Sequence, residues 1–258
     1  MKIRRRALAV SLLSIAMLAG CATPEKLSLR DVIVRHAEAR GGVAALDAIE
    51  NTLNIATVAE PSFGEVKGRY IASSAAMMRI DVFYAEDRVF SEGIDVNGEW
   101  QWAGDAPAPK SSSEVAINSG ALRHGIIFNL YGLHSLQGLG HEVELQGREE
   151  IDGVSYFAVK VTLDDGFETW RYVNPATWLI DYGRDFRPLH PDIDPTPVWI
   201  ETKYEDFRPI DGVLSSFRWT TTNLDTGELM QTGVIHRLEY NAAAKALNFS
   251  RSADVIAP

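Results

Sequence analysis

Val154-Ser155-Tyr156-Phe157-Ala158-Val159-Lys160-Val161-Thr162-Leu163 alternates along its length. Phe157, Val159, Val161 and Leu163 fall on one side, and Ala158, Lys160 and Thr162 on the other. A period of two is the mark of a strand with one buried face. Asp152-Gly153 precedes the stretch and Asp164-Asp165-Gly166 follows it, and both are turn sequences. The same signal recurs outward in both directions. Strands are expected near Leu53–Glu60, Gly64–Ser73, Ala76–Ala85, Asp87–Ile94 and Glu99–Trp102, then at His141–Ile151, Phe167–Val173, Trp178–Phe186, Val198–Arg208, Val213–Leu224 and Glu228–Tyr240. Asn97-Gly98, Asn174-Pro175, Asp211-Gly212 and Asp225-Thr226-Gly227 join neighbouring runs, so an antiparallel meander is expected.

Two segments break the pattern. Val32, Val34, Ala37, Ala45, Leu46 and Ile49 roughly follow a 3.6-residue period, which predicts a helix over Leu29–Asn51, interrupted at Gly41-Gly42. Leu122, Ile126, Phe128, Leu130, Leu133 and Leu136 predict a second helical region within Glu114–Leu139, broken at Gly132 and Gly138. Gly104–Ser113 reads as a loop, as does the proline-rich stretch His190–Pro197. The expected fold is mainly β (α+β): an open antiparallel half-barrel of eleven or twelve strands, with helices covering the concave face. A sheet of that size curls with more room than its own side chains fill.

The beginning of the chain follows other rules. Lys2, Arg4, Arg5 and Arg6 precede Ala7–Ala19, an apolar run of about thirteen residues, shorter than the ~20 of a membrane-spanning helix. Leu18-Ala19-Gly20-Cys21 then places the chain's single cysteine. This arrangement resembles a bacterial lipoprotein signal peptide with its lipobox. The resemblance implies lipidation at Cys21, cleavage before it, and anchoring to a membrane by acyl chains such as palmitate, two or more of which hold firmly. Ala22 follows where an inner-membrane lipoprotein would carry Asp, which points to the inner leaflet of an outer membrane facing the periplasm. The expected division is a signal peptide over 1–20, a lipidated tether over 21–28, one domain over 29–250 and a tail over 251–258.

Removing the leader leaves 238 of 258 residues, enough for one large β domain. It also removes four cations from a formal charge of −10, leaving −14. That balance argues against nucleic acid as a partner. With Cys21 acylated the domain has no disulfide, and a hydrophobic core has to suffice.

Large apolar residues recur on one face of many strands. Trp100 and Trp102 are two apart; Phe217 and Trp219 share a side with Val213; Trp170 and Trp178 flank Asn174-Pro175; Trp199 opens a later strand. These aromatics, with Phe157 and Val159, are either ordinary core or the lining of a pocket for an acyl chain. Burying ~15 methylenes at ~0.8 kcal/mol each offers up to about 12 kcal/mol before the costs of binding.

Three motifs together carry a resemblance. Ala37-Glu38-Ala39-Arg40-Gly41-Gly42-Val43-Ala44-Ala45-Leu46-Asp47-Ala48-Ile49 resembles the opening helix of LolA-like proteins. Asp95-Val96-Asn97-Gly98-Glu99-Trp100 is similar to their strand–turn–strand, and Tyr204-Glu205-Asp206-Phe207-Arg208-Pro209-Ile210-Asp211-Gly212-Val213 to their penultimate hairpin. The resemblance spans roughly residues 30 to 250. It implies a half-barrel plugged by helices and a ligand that is a lipid, a fatty acid or an acylated protein, held by a monomer.

Signals for catalysis are weak. His36, His124, His134, His141, His190 and His236 form no HExxH pattern, and no free cysteine remains as nucleophile or ligand. His190-Pro191-Asp192-Ile193-Asp194 reads as a solvated loop rather than a metal site, and Ser111-Ser112-Ser113 lack the Gly-x-Ser-x-Gly elbow. No catalytic residue, metal or cofactor is expected. A sensor or protein-interaction module on the same fold, using a sheet edge or the Pro191–Pro197 loop, remains the alternative to a lipid binder; a hydrolase is the third reading.

Overall fold

In this computed structural model the described residues are 27–243 and 247–251. Cys21, the leader, most of the tether and most of the tail lie outside them.

The turns set the architecture. Asp152 and Gly153 both have positive φ (50° and 77°), as do Asp211 and Gly212 (49° and 84°). Two such residues in succession give the hairpin turn whose twist matches the strands it joins. Turns with a single positive-φ residue, at Gly64, Ala76, Ala85 and Gly98, link β1 (Asn51–Glu60), β2 (Gly64–Ser73), β3 (Met77–Tyr84), β4 (Asp87–Asp95) and β5 (Gly98–Ala103), and a longer loop adds β6 (Lys110–Ser111), to make one meander. A second meander comprises β7 (Glu142–Ile151), β8 (Val154–Thr162), β9 (Glu168–Val173), β10 (Ile180–Arg187), β11 (Val198–Ile210), β12 (Val213–Asn223) and β13 (Leu229–Tyr240). The two join where β1 pairs antiparallel with β13, in register from Thr52–Tyr240 to Ala59–Thr232 with one bulge. The result is an open, thirteen-stranded antiparallel sheet with free edges at β6 and β7. The count exceeds the expected eleven or twelve by way of β6, two residues inside the proline- and serine-rich loop, too short to show any period.

Helices lie against one face, here the inner face. The first helical region divides as its glycines require, into α1 (Leu29–Ala39) and α2 (Val43–Asp47). Ser28 caps α1: its hydroxyl accepts from Asp31 N–H while the Asp31 carboxylate accepts from Ser28 N–H. The second region divides into α3 (Glu114–Ser119), α4 (Ala121–Leu130) and α5 (Leu133–Leu136), broken at left-handed Gly120 as well as before Gly132.

Two packed flanks result. Val32 and Ile33 of α1 and Leu133 and Leu136 of α5 bury against Val143, Phe157, Val159, Val161 and Val173 of β7–β9. Leu122, Ile126 and Leu130 of α4, with Leu46 and Ile49, bury against Ala72, Met78 and Val213. Each such side chain contributes about 1.5–3 kcal/mol. No helix among the described residues is long and apolar enough to cross a membrane.

The outer face is closed differently. Residues 247–251 lie across it, with Leu247 and Phe249 on Leu53 and Ile71. Beside them Arg79 and Asp81, both fully buried, pair at 2.8 Å. Arg79 also donates to the Ser250 carbonyl at 2.6 Å, Arg69 bridges to Asp81 at 3.2 Å, and Ser91 donates to it at 2.7 Å. Arg251 donates to Asp95 at 2.8 Å.

Candidate functional site

Between the two flanks the helices leave a gap over β1 and β11–β13. It forms a cavity of about 360 Å³, within the ~300–1,000 Å³ of small-molecule sites. Phe128, Leu133, Leu136, Leu179, Ile180, Trp219, Ile235 and Leu238 supply its apolar wall. His36, Arg40, Asn54, Arg171, Tyr204, Ser215 and Tyr240 supply its polar one. A smaller cavity of about 220 Å³ adjoins it around Leu46, Leu130 and Gly138, sharing Tyr131 and Gly132.

The site exists because distant segments meet. The junction of α1 and α2 seats on the β11–β12 turn. Leu214 N–H donates to the Arg40 carbonyl at 2.8 Å, and Arg40 Nε donates back to the Leu214 carbonyl at 3.2 Å. Gly41 (φ +122°) is required there, since a Cβ would stand 2.1 Å from the Gly212 carbonyl oxygen. Two of the sequence motifs noted above, Ala37–Ile49 and Tyr204–Val213, are thus in direct contact.

Trp219 lies flat over Gly233, its partner across β12–β13; a Cβ at 233 would meet the indole at about 2.0 Å. The missing side chain makes room for the ring, and Trp219 Nε1 donates to Gln231 at 3.1 Å. Trp178, in a left-handed conformation (φ 61°), stacks on Phe157 at 5.4 Å and accepts a hydrogen bond from His36 Nδ1 at 2.8 Å through its carbonyl. A carbonyl only accepts, so the Nδ1 proton is fixed and Nε2 is left as an acceptor. His36 Nε2 is buried without a partner, as is Asn54 Oδ1. Burial pushes the His36 pKa down to about 4, and the ring is neutral at pH 7.

The residues expected to line a pocket separate in this geometry. Of the residues singled out in the sequence, Trp219 lines the cavity. Phe157, Val159, Trp178 and Phe217 face inward but are consumed in packing under the helices or against β1. Trp100, Trp102, Trp170 and Trp199 sit on the outer face. Trp100 is fully buried against Arg79; Trp102 donates to the Ala106 carbonyl beneath Arg88; Trp170 packs edge-on to Trp199. Period two tells which residues share a face but not which face is inner, and both faces of this sheet bury aromatics. Arg171 carried the missed signal: it shares strand parity with Thr169 and Val173, both fully buried, so a charge had been placed at an inward position.

The proline-rich loop is tied to the sheet. His190 pairs with Glu60 of β1 at 2.9 Å, and Asp192 accepts from the Ser113 hydroxyl ahead of α3. Among the described residues no cluster of three or more His, Cys, Asp or Glu is arranged to hold a metal.

Comparison with known proteins gives no matching family model and no matching curated protein. Solved structures do match. A LolA superfamily protein from Nitrosomonas europaea superposes on 87% of this chain and 98% of its own, with a TM-score of 0.55 at 14% identity. The fold is LolA-like. A DUF1329 family protein from Desulfovibrio piger covers 82% of the chain and 91% of its own (TM-score 0.53, 12% identity). A domain from Vibrio parahaemolyticus, described as outer membrane lipoprotein-sorting, covers the same shares (TM-score 0.50, 10% identity). At these identities the likeness is one of fold. Within this LolA-like half-barrel the cavity lies between the inner sheet and the helices that plug it.

Proposed function

We propose that this protein holds an acyl chain, a lipid or an acylated protein in the inner cavity and acts as a carrier in the cell envelope. In this reading residues 1–20 are a signal peptide, Cys21 carries the acyl chains, 21–28 form the tether, and 29–250 form the binding domain at the inner leaflet of the outer membrane. The observation that carries the proposal is the cavity itself: the helices fill both flanks of the inner face yet leave about 360 Å³ beside Phe128, Trp219 and Leu238. Apolar surface left open there gains about 25 cal/mol per Å² when a chain covers it. Descriptions of fold neighbours, a LolA superfamily protein and a lipoprotein-sorting domain, support the same class of ligand.

The test is native mass spectrometry of the full chain carrying Cys21→Ser, purified without detergent. A bound mass in the fatty-acid or lipid range is expected, together with uptake of a fluorescent fatty acid. Trp219→Glu should weaken that uptake at least tenfold while the protein stays folded; full retention would overturn the placement. Anchoring is read from intact mass of the wild-type protein taken from membranes, which should lack 1–20 and carry the added acyl groups.

One observation favours an interaction module as a second reading. Phe186 is 51% exposed and packs on Trp199, which meets Trp170 edge-on, on the outer face. An empty cavity with a stably co-purifying protein would move the function there.

A further inference from the structure

Arg40 and Arg171 line the same cavity, one from the end of α1 and the other from the inner face of β9. Each guanidinium carries five N–H donors. Arg171 is 7% exposed. Among the described residues it donates to the Tyr204 hydroxyl at 3.1 Å, and it lies 4.2 Å over the Phe128 ring. Arg40 donates through Nε to the Leu214 carbonyl and meets the Tyr240 hydroxyl. Among the described residues neither forms an ion pair with a carboxylate. Asp185, the acid whose charge reaches Arg171, is paired with Arg187 at 3.5 Å.

Other half-buried or buried arginines here are treated differently. Arg79 and Arg69 share Asp81, and Arg184 is held by Glu149 and Glu201. A buried cation with no carboxylate paired directly to it is costly. Two of them bordering one apolar cavity, in a chain of net charge −10, form a local positive site facing inward. The unpartnered acceptors His36 Nε2 and Asn54 Oδ1 border the same space and can receive a hydroxyl or an acid proton.

We propose that the ligand is a single-chain acidic amphiphile, with its carboxylate or phosphate head between Arg40 and Arg171 and its acyl chain along Phe128, Trp219 and Leu238. The proposal rests on the cavity being a lipid site. It adds the chemistry of the head, because charge-assisted hydrogen bonds to guanidinium are stronger than neutral ones. The cavity volume lies at the low end for small-molecule sites, which suits one chain rather than several.

The test displaces a fluorescent fatty acid from the full chain carrying Cys21→Ser, using palmitate, 1-hexadecanol and palmitoyl lysophosphatidic acid. These ligands share a sixteen-carbon chain and differ in the head. An acidic ligand should bind at least tenfold tighter than the alcohol. Arg40→Gln and Arg171→Gln should each erase most of that preference while leaving the alcohol's affinity unchanged. Tighter binding of the phosphate supports a phospholipid source; tighter binding of palmitate supports a free fatty acid. Equal affinity of acid and alcohol for the unsubstituted cavity overturns the proposal and leaves the lipid site standing, and it requires no variant to fold. If no ligand displaces the probe and none binds directly, the lipid site fails and the head-group proposal with it.

Discussion

The sheet buries arginine on both faces, and the two faces treat it in opposite ways. On the outer face Arg79 is sealed: Asp81 at 2.8 Å, the Ser250 carbonyl at 2.6 Å, Trp100 against its plane, and residues 247–251 laid over the top. On the inner face Arg171 has one phenol, one ring and open space beside it. The first arrangement completes itself and serves structure. The second leaves donors over, and such donors are where an incoming molecule gains binding free energy.

Substitutions should separate the two. The largest effect is expected at Asp81→Asn, which removes the charge opposite Arg79 and Arg69 and leaves them buried; a loss of about 3–5 kcal/mol should appear in urea unfolding. A loss below 1 kcal/mol would mean that the outer cluster is no more structural than the inner one. Next comes acid sensitivity on the inner side. The folded-state pKa of His36 is depressed from 6.5 to about 4 by burial, with Arg40 and His134 acting in the same direction. Its contribution is fully present above pH ~6.5 and is lost as pH falls towards 4, in total about 3 kcal/mol. Unfolding measured between pH 7 and 4 should show that slope, and His36→Gln should flatten it. Arg171→Gln should cost less, about 1 kcal/mol for the bond to Tyr204; a cost equal to that of Asp81→Asn would make Arg171 a structural residue. The smallest effect is expected at Phe186→Ser on the exposed outer surface, within about 0.5 kcal/mol in stability and with lipid uptake unchanged.

Local features were legible in the sequence because they are decided locally. The Asp152-Gly153 and Asp211-Gly212 turns, the alternation of Phe157, Val159 and Val161, and the break at Gly41-Gly42 all appear as read. Two-residue β6 was not legible, because two residues have no period. The pairing of β1 with β13 was not legible either, since no turn joins them. The site suffered most from this. Arg40, Arg171 and Tyr240 come from the end of α1, from β9 and from β13 and converge only once the sheet is assembled. The tryptophans drew attention by size, yet four of them had been placed on the outer face by strand parity alone.

The β1–β13 pairing also sets the order in which the molecule can be completed. Each meander consists of neighbour contacts and can form early, but the seam between them joins Thr52 to Tyr240, across most of the chain. Until the last strand arrives, β1 presents a bare edge of ten residues, open to any passing strand. A chain shortened before Leu229 would therefore keep both halves of its sheet and lose the joint between them, and its expected fate is aggregation rather than a smaller folded protein.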